Sequence, residues 1–168
     1  MRFRPDDLLV HPQHGLGRVI KLEKKQFVPG TEQEYYKIAI KAGTVWVPVE
    51  GTPDGLRKVT AKGDLDRYRD VLRSRPIPLS PNHKQRQITL VERLKESTFK
   101  AKCEVVRDLM AFQWIKPLNE SSSNMLRHTH QVLCAEWAAS EGLSISEATH
   151  EVDALLLEGK ATYGSIVV

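Results

Sequence analysis

Apolar and polar positions alternate along the first sixty residues and then recur every three to four residues, so the chain reads as a β-module followed by a helical one. Residues 7–10 form a brief apolar run closed by His11-Pro12, and residues 16–27 a longer one ended by Pro29-Gly30. Residues 33–41 place Tyr36, Ile38 and Ile40 on one face. Residues 44–49 do the same with Val45, Val47 and Val49, and Ala42-Gly43 between them is a tight turn. These short strands predict a strongly bent sheet or small open barrel.

Helical spacing begins after Gly55-Leu56-Arg57-Lys58-Val59. Leu65, Tyr68 and Leu72 share a face of a first helix over 64–73. Arg75-Pro76-Ile77-Pro78-Leu79 is a rigid connector, because proline lacks an amide proton and restricts its predecessor. Ser80-Pro81 reads as an N-cap followed by proline at the first helical position, opening a helix to Glu96 with an apolar stripe of Ile88, Val91 and Leu94. A further helix spans 99–114. The capping residues of 119–124 introduce another, with Leu126, Leu133 and Trp137 on one face. Ser144-Ile145-Ser146-Glu147 has the capping-box form, and its helix is expected to stop at Gly159. The expected domains are 1–60 and 61–160, with 161–168 a tail.

Composition adds little to the fold but shapes the function. Of 168 residues, 40% are hydrophobic and 27% charged, an ordinary balance for a chain that buries a core. The net charge of +4 is unevenly distributed. Residues 61–110 hold twelve bases against seven acids, whereas 111–168 hold three against seven. Positive charge in mid-chain suits a polyanion contact or a solvated basic helix. The two cysteines, Cys103 and Cys134, sit in apolar helical patterns and read as reduced, buried thiols. Neither a signal-peptide pattern nor a membrane-length apolar run occurs, so a cytoplasmic, monomeric protein without membrane contact is expected.

Phe3-Arg4-Pro5-Asp6-Asp7, His11-Pro12-Gln13-His14-Gly15-Leu16-Gly17-Arg18-Val19, Val45-Trp46-Val47-Pro48-Val49-Glu50 and Gly55-Leu56-Arg57 follow one another in the order and spacing of the CarD/CdnL family of bacterial RNA polymerase-binding regulators, which the chain resembles. Glu104-Val105-Val106-Arg107-Asp108-Leu109 and residues 125–148 extend the resemblance through the helical part. It implies an α+β architecture, with a small Tudor-like antiparallel β-module followed by a compact all-helical C-terminal domain. It further implies that the β-module binds the RNA polymerase β subunit. The helical domain is then expected to contact promoter DNA at the upstream edge of the bubble, through the minor groove and phosphates, and to stabilise the open complex.

Trp46 is the leading protein-contacting candidate, since three valines of its strand must face the other way and tryptophan is enriched among interface anchors. Tyr35, Lys37, Lys24, Lys25 and Pro48 accompany it. For DNA the candidates are Arg73, Arg75, His83, Lys84 and Arg86, which could hold phosphates near a helix N-terminus. The family commonly carries a wedging tryptophan where this chain has His83, and Gln85 and Gln87 flank Arg86, so weaker wedging is expected. An alternative is a polymerase-binding adaptor with little DNA engagement. His11 with His14, and His128, His130 and Cys134, lack a metal-ligand pattern. No phosphate-cradling glycine loop or nucleophile elbow is present, so neither enzyme nor cofactor is expected.

Overall fold

The computed structural model describes residues 2–164. Two compact units meet between Val59 and Thr60. The first is one antiparallel sheet of five strands, β1 (Leu8–His11), β2 (Gly15–Val28), β3 (Thr31–Ile40), β4 (Gly43–Pro48) and β5 (Arg57–Lys58), in the order β4-β3-β2-β1-β5. Alternation sends Tyr36, Ile38 and Val47 inward to pack with Phe3, Leu9 and Val19. Each such side chain contributes about 1.5–3 kcal/mol by leaving water. The fully buried Tyr36 keeps its hydroxyl paired by accepting a hydrogen bond from the Phe3 amide at 3.1 Å. At the first residue of β2, where the chain leaves the turn, Gly15 adopts φ +74°. Gly17 is required for a different reason, since a Cβ there would lie 2.7 Å from Ile38 Cγ2.

Pairing of β2 with β3 shifts between Val19 and Lys21. Such a bulge inserts one residue and reverses the side-chain phase beyond it. Val19 and Leu22 therefore both join the core although they lie three positions apart, a spacing that puts residues of a regular strand on opposite faces, while Glu23 and Lys25 turn to the outer face.

The second unit starts with Thr60, whose amide and hydroxyl both donate to the buried Glu136 carboxylate at 3.0 and 2.7 Å. A short 3-10 turn leads into α1 (Leu65–Arg73), followed by α2 (His83–Leu94), α3 (Phe99–Ile115), α4 (Glu120–Glu141) and α5 (Ile145–Tyr163). Helix α3 contacts each of the other four and buries Phe99, Cys103, Val105, Val106 and Leu109. Trp137 on α4 is fully buried against Phe99. The Ser144 capping box forms as expected, with Ser144 Oγ accepting from Glu147 N and Glu147 Oε1 accepting from Ser144 N, both at 3.1 Å.

Three local expectations are corrected. Helix α2 begins at His83 with Asn82 as its cap, because the Asn82 side chain accepts from Gln85 N at 3.0 Å. The Ser80 hydroxyl instead accepts from Asn82 N. The buried face of α2 consists of Arg86 and Leu90, while Ile88 and Val91 are exposed and Leu94 is half-buried. Finally, α5 runs through Gly159 to Tyr163. Gly159 is buried, and a Cβ there would lie 3.4 Å from Arg73 O, so it serves close helix approach rather than termination. The tail expected from 161 is thus helical at its start, and residues 165–168 lie outside those described.

Candidate protein and nucleic-acid interfaces

Register assembles the first surface. Lys37 pairs with Trp46 and Tyr35 with Pro48 between β3 and β4, while Glu23 pairs with Tyr35 between β2 and β3. These residues and Lys25 share the outer face, because their strand neighbours Tyr36, Ile38 and Val47 are inward. Trp46 is half-buried. Its indole Nε1 donates to Glu23 Oε2 at 3.0 Å, the Phe27 ring lies edge-on at 6.0 Å, and Lys25 and Lys37 Nζ approach its centroid at 5.5 and 6.0 Å. Tyr35 meets Phe27 edge-on at 5.0 Å. The result is an aromatic platform of Trp46, Phe27 and Tyr35 fringed by lysines. The Trp46 hydrogen bond holds the Glu23 carboxyl below its ordinary range despite some desolvation, with Lys25 and Lys21 assisting.

Lys24 does not belong to this platform. It pairs with Glu34 and follows Leu22 on the opposite face of the strand. Phe27, by contrast, is 56% exposed and was not singled out from the sequence. A phenylalanine next to Val28 at the tip of a Pro-Gly hairpin was the available signal, because apolar residues at an exposed turn have no core to fill.

Beside the platform, residues including His11, His14, Phe27, Trp46 and Asp54 line an open cleft of about 730 Å³. His11 Nδ1 accepts from the amides of Gln13 and His14 at 3.0 and 3.2 Å. Burial, followed by the neighbouring His14, lowers its pKa. The residue thus braces a turn as a neutral imidazole. Strand β4 lies at the end of the sheet and pairs on one side only, with β3.

The expected nucleic-acid residues do not form one surface. His83 and Lys84 are exposed at the start of α2, whose first turn carries no acidic side chain. Arg75 is exposed on the connector. Arg73 is exposed but bound at 2.6 Å to Asp70 and at 3.7 Å to Glu158. Arg86 is only 3% exposed, so its expected phosphate contact is withdrawn. Its guanidinium donates to Ser122 Oγ at 3.1 Å and Ser80 O at 2.9 Å and stacks over the Phe112 ring at 4.5 Å. The exposed face of α2 instead carries Lys84, Ile88, Val91 and Lys95 at spacings of four, three and four, a basic stripe with an apolar centre.

His130 comes closest to a catalytic grouping, yet Asp153 Oδ1 at 2.7 Å and Cys134 Sγ at 3.8 Å approach the same ring nitrogen, Nε2. A relay needs the carboxylate and the nucleophile on opposite nitrogens. Cys134 and then Asp153 raise the His130 pKa to about 9 against the effect of burial. Burial pushes the Cys103 thiol far above its usual range, which leaves it unreactive. Trp114 is half-buried and lines an open groove with Met110, Leu126, His130 and Leu157.

Two family models match the chain: the CarD-like/TRCF RID domain over residues 3–60 and the CarD C-terminal domain over residues 67–153. The chain belongs to the CarD family. A Bacillus subtilis (strain 168) relative, described as the putative transcription factor YdeB, is 28% identical over 144 residues, covering 84% of this chain and 94% of its own length. The CarD-like family is one of transcription-associated, RNA polymerase-interacting proteins. In this CarD-family chain the RID match contains the aromatic platform and the C-terminal match contains α2. No helix among the described residues is long and apolar enough to cross a membrane.

Proposed function

We propose that this protein is a non-enzymatic transcription regulator that grips the RNA polymerase β subunit with its β-module and stabilises the open promoter complex through its helical unit. The observation that carries the first half is the Trp46–Phe27–Tyr35 platform with its lysine fringe. Buried tryptophan anchors dominate many protein interfaces, and the platform lies next to an edge strand able to pair with a partner strand. Tyr35, Lys25, Lys37 and Pro48 complete the docking face, and Lys24 is left off it.

DNA engagement rests on less. His83 and Lys84 at the start of α2, together with Arg75, face the upstream bubble edge, and their contacts with phosphate set position rather than sequence. The exposed Ile88 and Val91 extend that face with apolar surface. Tethering to polymerase raises the local concentration of a weak DNA site, so low intrinsic affinity suffices. Stabilisation follows from binding the open state more tightly than the closed one.

Open-complex lifetime on a forked promoter tests the DNA half. Substitution His83→Trp lengthens it by restoring an indole that stacks on the unpaired step, and His83→Ala shortens it. Burial of Arg86 favours a second reading, an adaptor that binds polymerase with little DNA contact. That reading replaces the first if both His83 variants match the wild type while polymerase is retained.

A further inference from the structure

We infer that Arg86 is a positioning residue for the proposed DNA contact: its guanidinium fixes the proline-rich connector and the start of α2, so that His83 and Lys84 are presented in a preset geometry. The inference rests on the DNA reading above and assigns Arg86 a role different from phosphate binding. The segment 74–82 contains Pro76, Pro78 and Pro81, so it is poor in backbone donors and cannot tie itself down by a ladder of its own. Buried charges supply what the backbone lacks. Arg86 donates to the carbonyls of Ser80 and Pro81 at 2.9 and 3.4 Å. Asp108, with its side chain fully buried, accepts from the Ile77 amide at 2.9 Å and is itself held by Arg93 and Arg107. Arg107 also donates to Ser74 Oγ at 3.0 Å.

Arg86 further reaches across to α4. Its Nε donates to Ser122 Oγ at 3.1 Å and its NH2 group lies 3.5 Å from Asn119 Oδ1, the atom that caps α4 through the Ser122 amide. One planar fork therefore joins the connector, the first turn of α2 and the N-terminus of α4, with Phe112 stacked against it. Lysine has a single charged point and cannot serve these directions together. Pre-ordering of a binding loop reduces the cost of ordering it on contact, and this is how a buried side chain changes DNA binding without touching DNA.

Open-complex lifetime is measured with the full chain and RNA polymerase across a potassium chloride series, below the unfolding temperature of every variant. Backbone amide exchange at Gln85 is followed in parallel without polymerase. Arg86→Lys is expected to shorten the lifetime by about two- to tenfold, the scale of losing one hydrogen-bonded anchor, and Ser122→Ala acts in the same direction. Both leave the salt slope unchanged and speed Gln85 exchange, whereas Lys84→Gln lowers the slope by about one for the lost phosphate contact. Full rescue by lysine in Arg86→Lys, or a lower slope in Arg86→Gln, identifies a direct phosphate contact and overturns the positioning role. Unchanged lifetime in the Arg86 and Ser122 variants overturns it too, provided that Lys84→Gln and His83→Ala retain their effects. If those two also have none, the DNA reading has failed instead.

Discussion

Trp46 concentrates the docking prediction in one side chain. Its ring is held on one edge by Glu23 and flanked by Phe27, so it is already ordered before a partner arrives. Ordering in advance removes a cost that a loose anchor incurs on binding. Trp46→Ala is expected to weaken capture of the β-subunit lobe by roughly thirtyfold or more, corresponding to about 2 kcal/mol for an interface hot spot. Glu23→Gln keeps an oxygen acceptor for the indole and is expected to cost much less. Titration of the isolated lobe by calorimetry separates the two, and equal losses would mean that the Glu23 charge, rather than the indole, carries the contact. Trp46 was legible because three valines on one strand face leave no other direction for it. Arg86 was not, because a cation beside two glutamines looks solvated until the fold supplies Ser122, Asn119 and Phe112 from more than twenty residues away.

Elements were legible where one physical signal dominated. The capping box at Ser144 rests on contacts within four residues, and the alternation in β3 on the period-two geometry of any strand, so both appear in the structure as expected. The apolar stripe of α2 misled because Ile88 and Val91 have the right spacing for a core face, yet α3 packs on the Arg86–Leu90 side. The bulge in β2 left no mark in composition, although it decides that Glu23 reaches Trp46. A tie between α4 and α5 gives an element-scale prediction. His130 on α4 bonds Asp153 on α5 at 2.7 Å, and Cys134 first, then Asp153, raise its pKa to about 9. A raised folded pKa means that the bond's contribution is complete below the unfolded value of about 6.5 and disappears as pH climbs through about 9. With Asp153 half-exposed, solvent screening limits the effect to about 1–2 kcal/mol. Urea midpoints at pH 6 and pH 9.5 should therefore converge between wild type and His130→Gln at the higher pH, and a constant gap would count against the tie.

At the scale of the whole molecule, the charge distribution is less generous to DNA than the sequence suggests. Of the twelve bases between 61 and 110, Arg86, Arg93 and Arg107 are committed to buried or part-buried networks. Arg69 bridges Asp66, Glu141 and Glu151, and Arg67, Arg73 and Lys95 each face an acid three residues earlier in the chain. Near the start of α2 this leaves Lys84 and Arg75 as the exposed cations for phosphate, with His83 beside them. Each phosphate neutralised on duplex DNA contributes a slope of about −0.9 to log affinity against log salt. The DNA contribution to complex stability should thus vary with a slope of about −2, far shallower than twelve engaged bases would give. Polymerase capture through the aromatic platform draws mainly on apolar contact and should weaken less across the same series. Measuring both from low to moderate potassium chloride distinguishes them. A slope steeper than about −4 would require further basic side chains at the DNA, either other lysines of the helical unit such as Lys62 and Lys100 or paired arginines released from their partners.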